Sequence, residues 1–214
     1  MNRERVITFE EEHKYLGAAS ATLRDITILA VDTGLRPNSE LFTLQWANVH
    51  LDTSAEGPHG HIHVPRGKTD AARRNVPLTP RAKAVLTVRR AAKVMSFYVF
   101  PGPGRSGHVV TVQHSHERAI HRANKAELAE GFQKPAIEPF EFYCWRHTCG
   151  TRWAEAGMDK YSVARLMGHS SPRVAERYYI HVTEPHVAAG FERFLSYLER
   201  QLVDSVPPVT TTVQ

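Results

Sequence analysis

Five stretches of the chain carry side chains that could do chemistry. Arg36 lies in TGLRPNSEL, directly after Gly34. Pro37 disfavours helical backbone for the residue before it, so Arg36 is placed in a loop between helices, where a guanidinium can clamp an anion. Lys68 lies in RGKTDAARRNVPL, at a Gly-containing turn between β-prone runs. A hairpin tip of that kind can deliver an ammonium group into a site as a movable acid. Tyr143 and Arg146 stand three apart in FYCWRHTCGTRW, which places them together on one side of a helix, with His147 next to them. His169 follows Gly168 in LMGHSS, where a glycine can break the helix and turn the imidazole into a cleft. Tyr178 and Tyr179 are adjacent in the charged stretch ERYYIHV, and either could be a chemical group or a packing group. Taken one at a time, each has a plainer reading as a solvated cation, a structural histidine or a core ring.

Two other sets of residues point elsewhere. His59, His61 and His63 alternate, so a strand would hold all three on one face. No carboxylate or cysteine lies at a typical ligand spacing from them, which argues against a zinc site. Cys144 and Cys149 belong on or beside the apolar seam formed by Trp145, Cys149 and Trp153, at a spacing that suits no common metal motif, and are expected to be structural. No metal or other cofactor is expected.

The elements that must position these groups are readable from periodicity and caps. Thr8 to Glu11 has the form of a capping box, with a helix to about Ala19. ATLRDITILAVDTG predicts a second, apolar helix that stops at Gly34, and SELFTLQW a further short one. WANVHLD, HGHIHVP and RRNVPLT are β-prone runs that predict a small antiparallel sheet. Thr79-Pro80 opens a helix to about Met95. Helices are expected near 114–130, 142–156, 160–167, 172–181 and 185–202. The fold class is mainly α with a small antiparallel β-sheet (α+β). Residues 1–203 are read as one domain and 204–214 as a flexible tail.

Composition sets bounds on partners and compartment. The 214 residues carry 27 Lys and Arg against 22 Asp and Glu, a formal net charge of +5, which suits a polyanion without requiring one. Two cysteines cannot build a disulfide framework, and the charged N-terminus has no signal-like apolar run, so a soluble, cytoplasmic protein is expected.

The order of these motifs resembles the tyrosine recombinase (phage integrase) family in its catalytic domain. TGLR…EL..LQW, GKT…RNVPL, RHT, LMGHSS and ERYYIHV occur in the family's order between about Thr33 and Val182. The resemblance implies a site-specific recombinase or integrase that cleaves and rejoins double-stranded DNA through a 3′-phosphotyrosyl intermediate. It implies that Arg36 and Arg146 neutralise the phosphate, that Lys68 protonates the leaving 5′-hydroxyl, and that His169 bonds the phosphate. A tyrosine phenol is the nucleophile, either Tyr179 or Tyr178 as the alternative. Tyr179 is preferred because His181 follows it by two residues, as is frequent in the family, and because Tyr178, four after Val174, has the better packing position.

Three departures from the family pattern stand out. Tyr143 occupies the place where the family usually has His. Glu40 comes one residue later than the usual glutamate after the first arginine, so PNS reads as a one-residue insertion. The family's helical DNA-binding domain, which precedes the catalytic one, has no counterpart at the start of the chain, as in a fragment or a naturally short protein. The resemblance further implies a monomer in isolation, a tetrameric synapse on DNA, and docking of the amphipathic 185–202 segment on a neighbouring protomer. The rival readings are a catalytically weakened DNA-binding module and a type IB topoisomerase-like enzyme.

Overall fold

α2 (Ala21–Thr33) is apolar on almost every side, with Leu23, Ile26, Ile28, Leu29, Ala30 and Val31 all buried. A helix of that composition has to be surrounded. In a computed structural model of the protein, which describes residues 5–65, 72–92, 94–129, 136–179 and 191, α2 packs against α3 (Pro80–Ala91) and α5 (Cys144–Glu155). α1 (Phe9–Ala18) lies against α4 (Gln113–Ala129), and α6 (Lys160–Met167) against α7 (Pro172–Tyr179). The expected capping box is present: Thr8 Oγ1 accepts from Glu11 N–H, and the Glu11 carboxylate accepts from Thr8 N–H.

Three short strands form one antiparallel sheet in the order β1 (Val49–His50), β2 (His61–Val64), β3 (Arg74–Pro77). Val49 pairs with Ile62 and Ile62 with Val76, so the apolar side chains share the core face. The fold class read from the sequence is the one observed. β1 is shorter than its run suggested, because Trp46–Asn48 turns as a 3₁₀ segment first. α3 ends at Ala91 rather than near Met95. The expected helix over 185–202, the tail from 204 and the hairpin tip with Lys68 lie outside the described residues. Among the described residues, no helix is long and apolar enough to cross a membrane.

The clearest local departure is the segment expected as a short helix over SELFTLQW. Pro37–Leu41 instead forms one π-helical turn, with Leu41 N–H bonding Arg36 O at 3.0 Å and Phe42 N–H bonding Pro37 O at 2.9 Å. A π turn is the way a helical stretch absorbs a single extra residue.

Buried charges are paired across elements. Glu12 on α1 accepts from Arg81 on α3 at 2.7 Å and from Arg152 on α5 at 2.5 Å. Tyr15 donates to His116 Nδ1 at 2.7 Å, and His116 Nε2–H donates to Phe140 O at 2.8 Å. Both ring nitrogens are thereby used by a neutral imidazole, and burial lowers the pKa of His116. The folded state resists the proton that the unfolded chain accepts, so His116 makes stability fall as pH drops below about 6.5. Tyr15→Phe leaves Nδ1 unpaired and is expected to cost about 1–3 kcal/mol in urea unfolding. A change under a few tenths of a kcal/mol at neutral pH would mean the bond contributes nothing.

Candidate active site

The end of α6 organises the site. Gly168 takes a left-handed conformation, φ 65°, and closes the helix. His169 N–H reaches back to Ala164 O at 2.9 Å and Gly168 N–H to Arg165 O at 3.0 Å, a Schellman pattern. The next three carbonyls each receive an arginine from a different part of the chain. Arg74 Nε, from β3, donates to Leu166 O at 2.5 Å. Arg146 Nη2, from α5, donates to Met167 O at 2.5 Å. Arg36 Nη2, from the loop after α2, donates to Gly168 O at 2.7 Å.

Arg146 is only 1% exposed. Its Nη1 also donates to Gly34 O, the carbonyl of the glycine that caps α2. The guanidinium is thus held between two helix C-termini, whose partial negative charge offsets part of its desolvation. Burial still lowers its pKa from the usual arginine value. Arg146 Nε is buried with no hydrogen-bond partner among the described residues. Arg36 keeps the extended backbone that Pro37 imposes, φ −66° and ψ 122°. Its side chain remains 29% exposed and opens on a groove of about 740 Å³, whose rim includes Tyr143, Gln113 and Asn38.

His169 turns back towards Arg146, as its place after Gly168 suggested. Its Nε2 lies 3.4 Å from Arg146 Nη2, which leaves Nδ1 as the protonated nitrogen, buried and without a partner among the described residues. Burial first, and then the charges of Arg146, Arg36 and Arg74, push its pKa down to about 4, so the imidazole is neutral at physiological pH. The ring of Tyr179 stacks on His169 at 5.9 Å with 10° between planes and tilts against His147 at 5.1 Å. Tyr179 is 7% exposed, and burial raises its pKa to about 12 against the lowering effect of Arg146.

The structure therefore brings Arg36, Arg146, His169 and Tyr179 together. Tyr143, the residue just before α5, is 41% exposed at the groove rim. Lys68 and the side chain of Tyr178 lie outside the described residues. The division into one packing and one chemical tyrosine fails on Tyr179. The fully buried position one turn earlier is Ala175, not Val174, and it is Tyr179 that follows it by four. Tyr179 packs with Val163, Ala164, Met167 and Ala175 while touching the histidines.

Three residues of the site escaped the sequence reading. Arg74 shares the inward face of β3 with Val76, and a charge in a buried alternation was the available signal. Glu40 was noted for its spacing alone, yet its carboxylate binds both Arg36 and Arg74. Gly150 sits inside α5, where glycine is costly, and a Cβ there would lie 2.9 Å from the Tyr179 ring and 2.8 Å from Met167 Cε. Elsewhere, the histidine run has local partners: His61 stacks on His50 at 4.6 Å, and His63 Nδ1 pairs with Asn75 Oδ1 at 2.7 Å.

The sequence model of the phage integrase family matches residues 3–186. No curated protein sequence matches significantly. Among solved structures, a Tn1549 transposon integrase in complex with circular intermediate DNA is similar over 91% of this chain and 68% of its own, with 18% identity and a TM-score of 0.65. XerA recombinase is similar over 89% of this chain and 63% of its own, with 21% identity and a TM-score of 0.57. XerH recombinase, in a post-cleavage complex with its difH substrate, is similar over 83% and 50%, with 19% identity and a TM-score of 0.58. The chain thus spans from about two thirds to half of these proteins, and at such identities the likeness is one of fold.

The seat of Tyr179 on α5 can be tested directly. Gly150→Ala is expected to destabilise the protein by about 1–3 kcal/mol in denaturant unfolding, because Tyr179 or Met167 must shift. Unchanged or raised stability would show that the ring does not rest there.

Proposed function

This chain belongs to the phage integrase family, and from that premise we propose that it is a site-specific DNA recombinase acting through a 3′-phosphotyrosyl intermediate. The observation that carries the reading is the convergence of Arg36, Arg146, His169 and Tyr179 around the end of α6. Two of those groups are permanently charged, and the exposed one faces a groove. Arginines of this kind can neutralise the non-bridging oxygens of a phosphodiester as its phosphorus becomes five-coordinate. Arg146 Nε and His169 Nδ1, both without partners among the described residues, are donors suited to those oxygens.

In the proposed reaction Tyr179 Oη attacks phosphorus and the bond to the 5′-oxygen breaks. With a pKa of about 12, the phenol holds its proton at rest and passes it to water only as the O–P bond forms. Arg146 offsets the charge that develops. The departing 5′-oxygen takes a proton from Lys68, the role that membership of the family suggests. The phosphotyrosine ester keeps the energy of the broken linkage, so a 5′-hydroxyl from another strand can reverse the step and rejoin DNA. Residues 1–203 would form the catalytic domain, with 204–214 as a tail, and the protomers would associate on the DNA rather than before it.

A pool of nicked duplexes of random sequence tests the reading. The expected product is a protein–DNA adduct that survives denaturant, with DNA attached to the peptide containing Tyr179. Attachment at Tyr178 would move the nucleophile by one residue. Arg36→Ala and Arg146→Ala are each expected to slow adduct formation by about 100-fold or more while DNA affinity falls much less. If no adduct forms at high protein concentration, the DNA-binding-module reading stands instead. Relaxation of supercoiled DNA without exchange between two sites would favour the topoisomerase-like reading.

A further inference from the structure

Arg74 touches none of the groups assigned a chemical step, yet it is 6% exposed and its guanidinium is turned into the site, against Glu40 and the end of α6. Its Nη1 and Nη2 bind the two oxygens of Glu40 at 3.1 and 2.9 Å, a bidentate pair. The remaining contacts are Nε to Leu166 O at 2.5 Å and Nη1 to Ala72 O at 2.9 Å. Glu40 is shared: it also accepts from Arg36 N–H at 2.8 Å and from Arg36 Nη1 at 2.5 Å. Burial alone would raise the Glu40 pKa, but the bonds and charges of Arg74 and Arg36 outweigh it and hold the carboxyl below its ordinary range.

Charge arithmetic gives this arrangement a consequence. One carboxylate faces two guanidinium groups, so the triad retains a single positive charge. Without Arg74, Glu40 would pair with Arg36 alone and cancel the charge that Arg36 offers to an anion in the groove. The two guanidinium groups also close on Gly168, where a Cβ would lie 2.7 Å from Arg74 Nη1 and 3.3 Å from Arg36 Nη1. The π turn at Pro37–Leu41 is what places Glu40 between them.

We propose that Arg74 is a positioning residue for strand cleavage: by neutralising Glu40 it keeps the charge and orientation of Arg36 available to the scissile phosphate. This inference rests on the reading of the site as a phosphodiester-cleaving one. The competing role for Arg74 is a purely structural tie between β3 and the end of α6, and the two differ in how mutations combine. If Arg74 acts through the charge of Glu40, removing that charge removes the need for Arg74. If it is only a tie, the losses add.

The experiment uses the full chain and a nicked duplex selected by the wild-type protein from the random pool. It measures single-turnover adduct formation, affinity for that duplex and thermal unfolding. Arg74→Gln is expected to slow adduct formation by about 100-fold at saturating protein, as for loss of a transition-state charge. Its DNA affinity should change by less than about tenfold, because most phosphate contacts remain. Adding Glu40→Gln should recover at least about tenfold of that rate, and Glu40→Gln alone should match the double variant. That last comparison holds even if Arg74→Gln, which leaves the buried carboxylate to Arg36 alone, does not fold. Arg74→Lys, which keeps the charge, should stay within about tenfold of wild type. A double variant slower than either single one overturns the inference, as does an Arg74→Gln rate equal to wild type. No adduct from the wild-type protein overturns the proposed function and this inference with it.

Discussion

Three consecutive carbonyls at the C-terminus of α6 hold the site together. The last carbonyls of any helix lack intrahelical partners and carry a partial negative charge. Here Leu166, Met167 and Gly168 take Arg74, Arg146 and Arg36. The helix end supplies acceptors that guanidinium groups need when buried, and those groups fasten β3, α5 and the loop after α2 to one point. Gly168 makes the arrangement possible, since a left-handed cap bends the chain away and leaves no side chain between Arg36 and Arg74. Concentrating so much positive charge has an electrostatic cost, which is met by Glu40 and the C-terminus of α2.

The same charges govern the two titratable groups beside them. His169 would be repelled as a cation by three arginines and loses hydration by burial, so it stays neutral and presents an N–H. Tyr179 is affected in opposite directions, raised by burial and lowered by Arg146, and burial prevails. A neutral histidine and a protonated phenol are a resting state with little nucleophilic power. A phosphate bound among the arginines would change the balance of charge around both. Gly150 lets the Tyr179 ring approach α5, so the position of the phenol is fixed by packing rather than by a hydrogen bond alone.

Local order and tertiary order meet at Pro37–Leu41. Pro37 fixes Arg36 in an extended conformation, and the π turn rotates Glu40 back over it. The π turn was not legible in the sequence, since Glu40 is held there by bonds to Arg74, 34 residues further along the chain.

The sequence by itself marked most of the described elements and supplied the candidate reactive groups. Capping residues at Thr8 and Thr79, glycines at 34 and 168 and the alternation in HIHV and RNVP mark boundaries through backbone preferences that act within a few residues. Arg36, Arg146 and His169 were singled out by residue type and order together with the family resemblance, which also favoured Tyr179 over Tyr178. Only the tertiary structure decided their surroundings. It showed which helix end receives the arginines, that Arg74 and Glu40 belong with them, and that Tyr179 rather than its neighbour follows the buried Ala175. Those outcomes depend on contacts between residues up to 132 positions apart, as for Arg36 and Gly168. Burial and charge at such a site are sums over all the elements packed around it, and no single stretch of chain contains them.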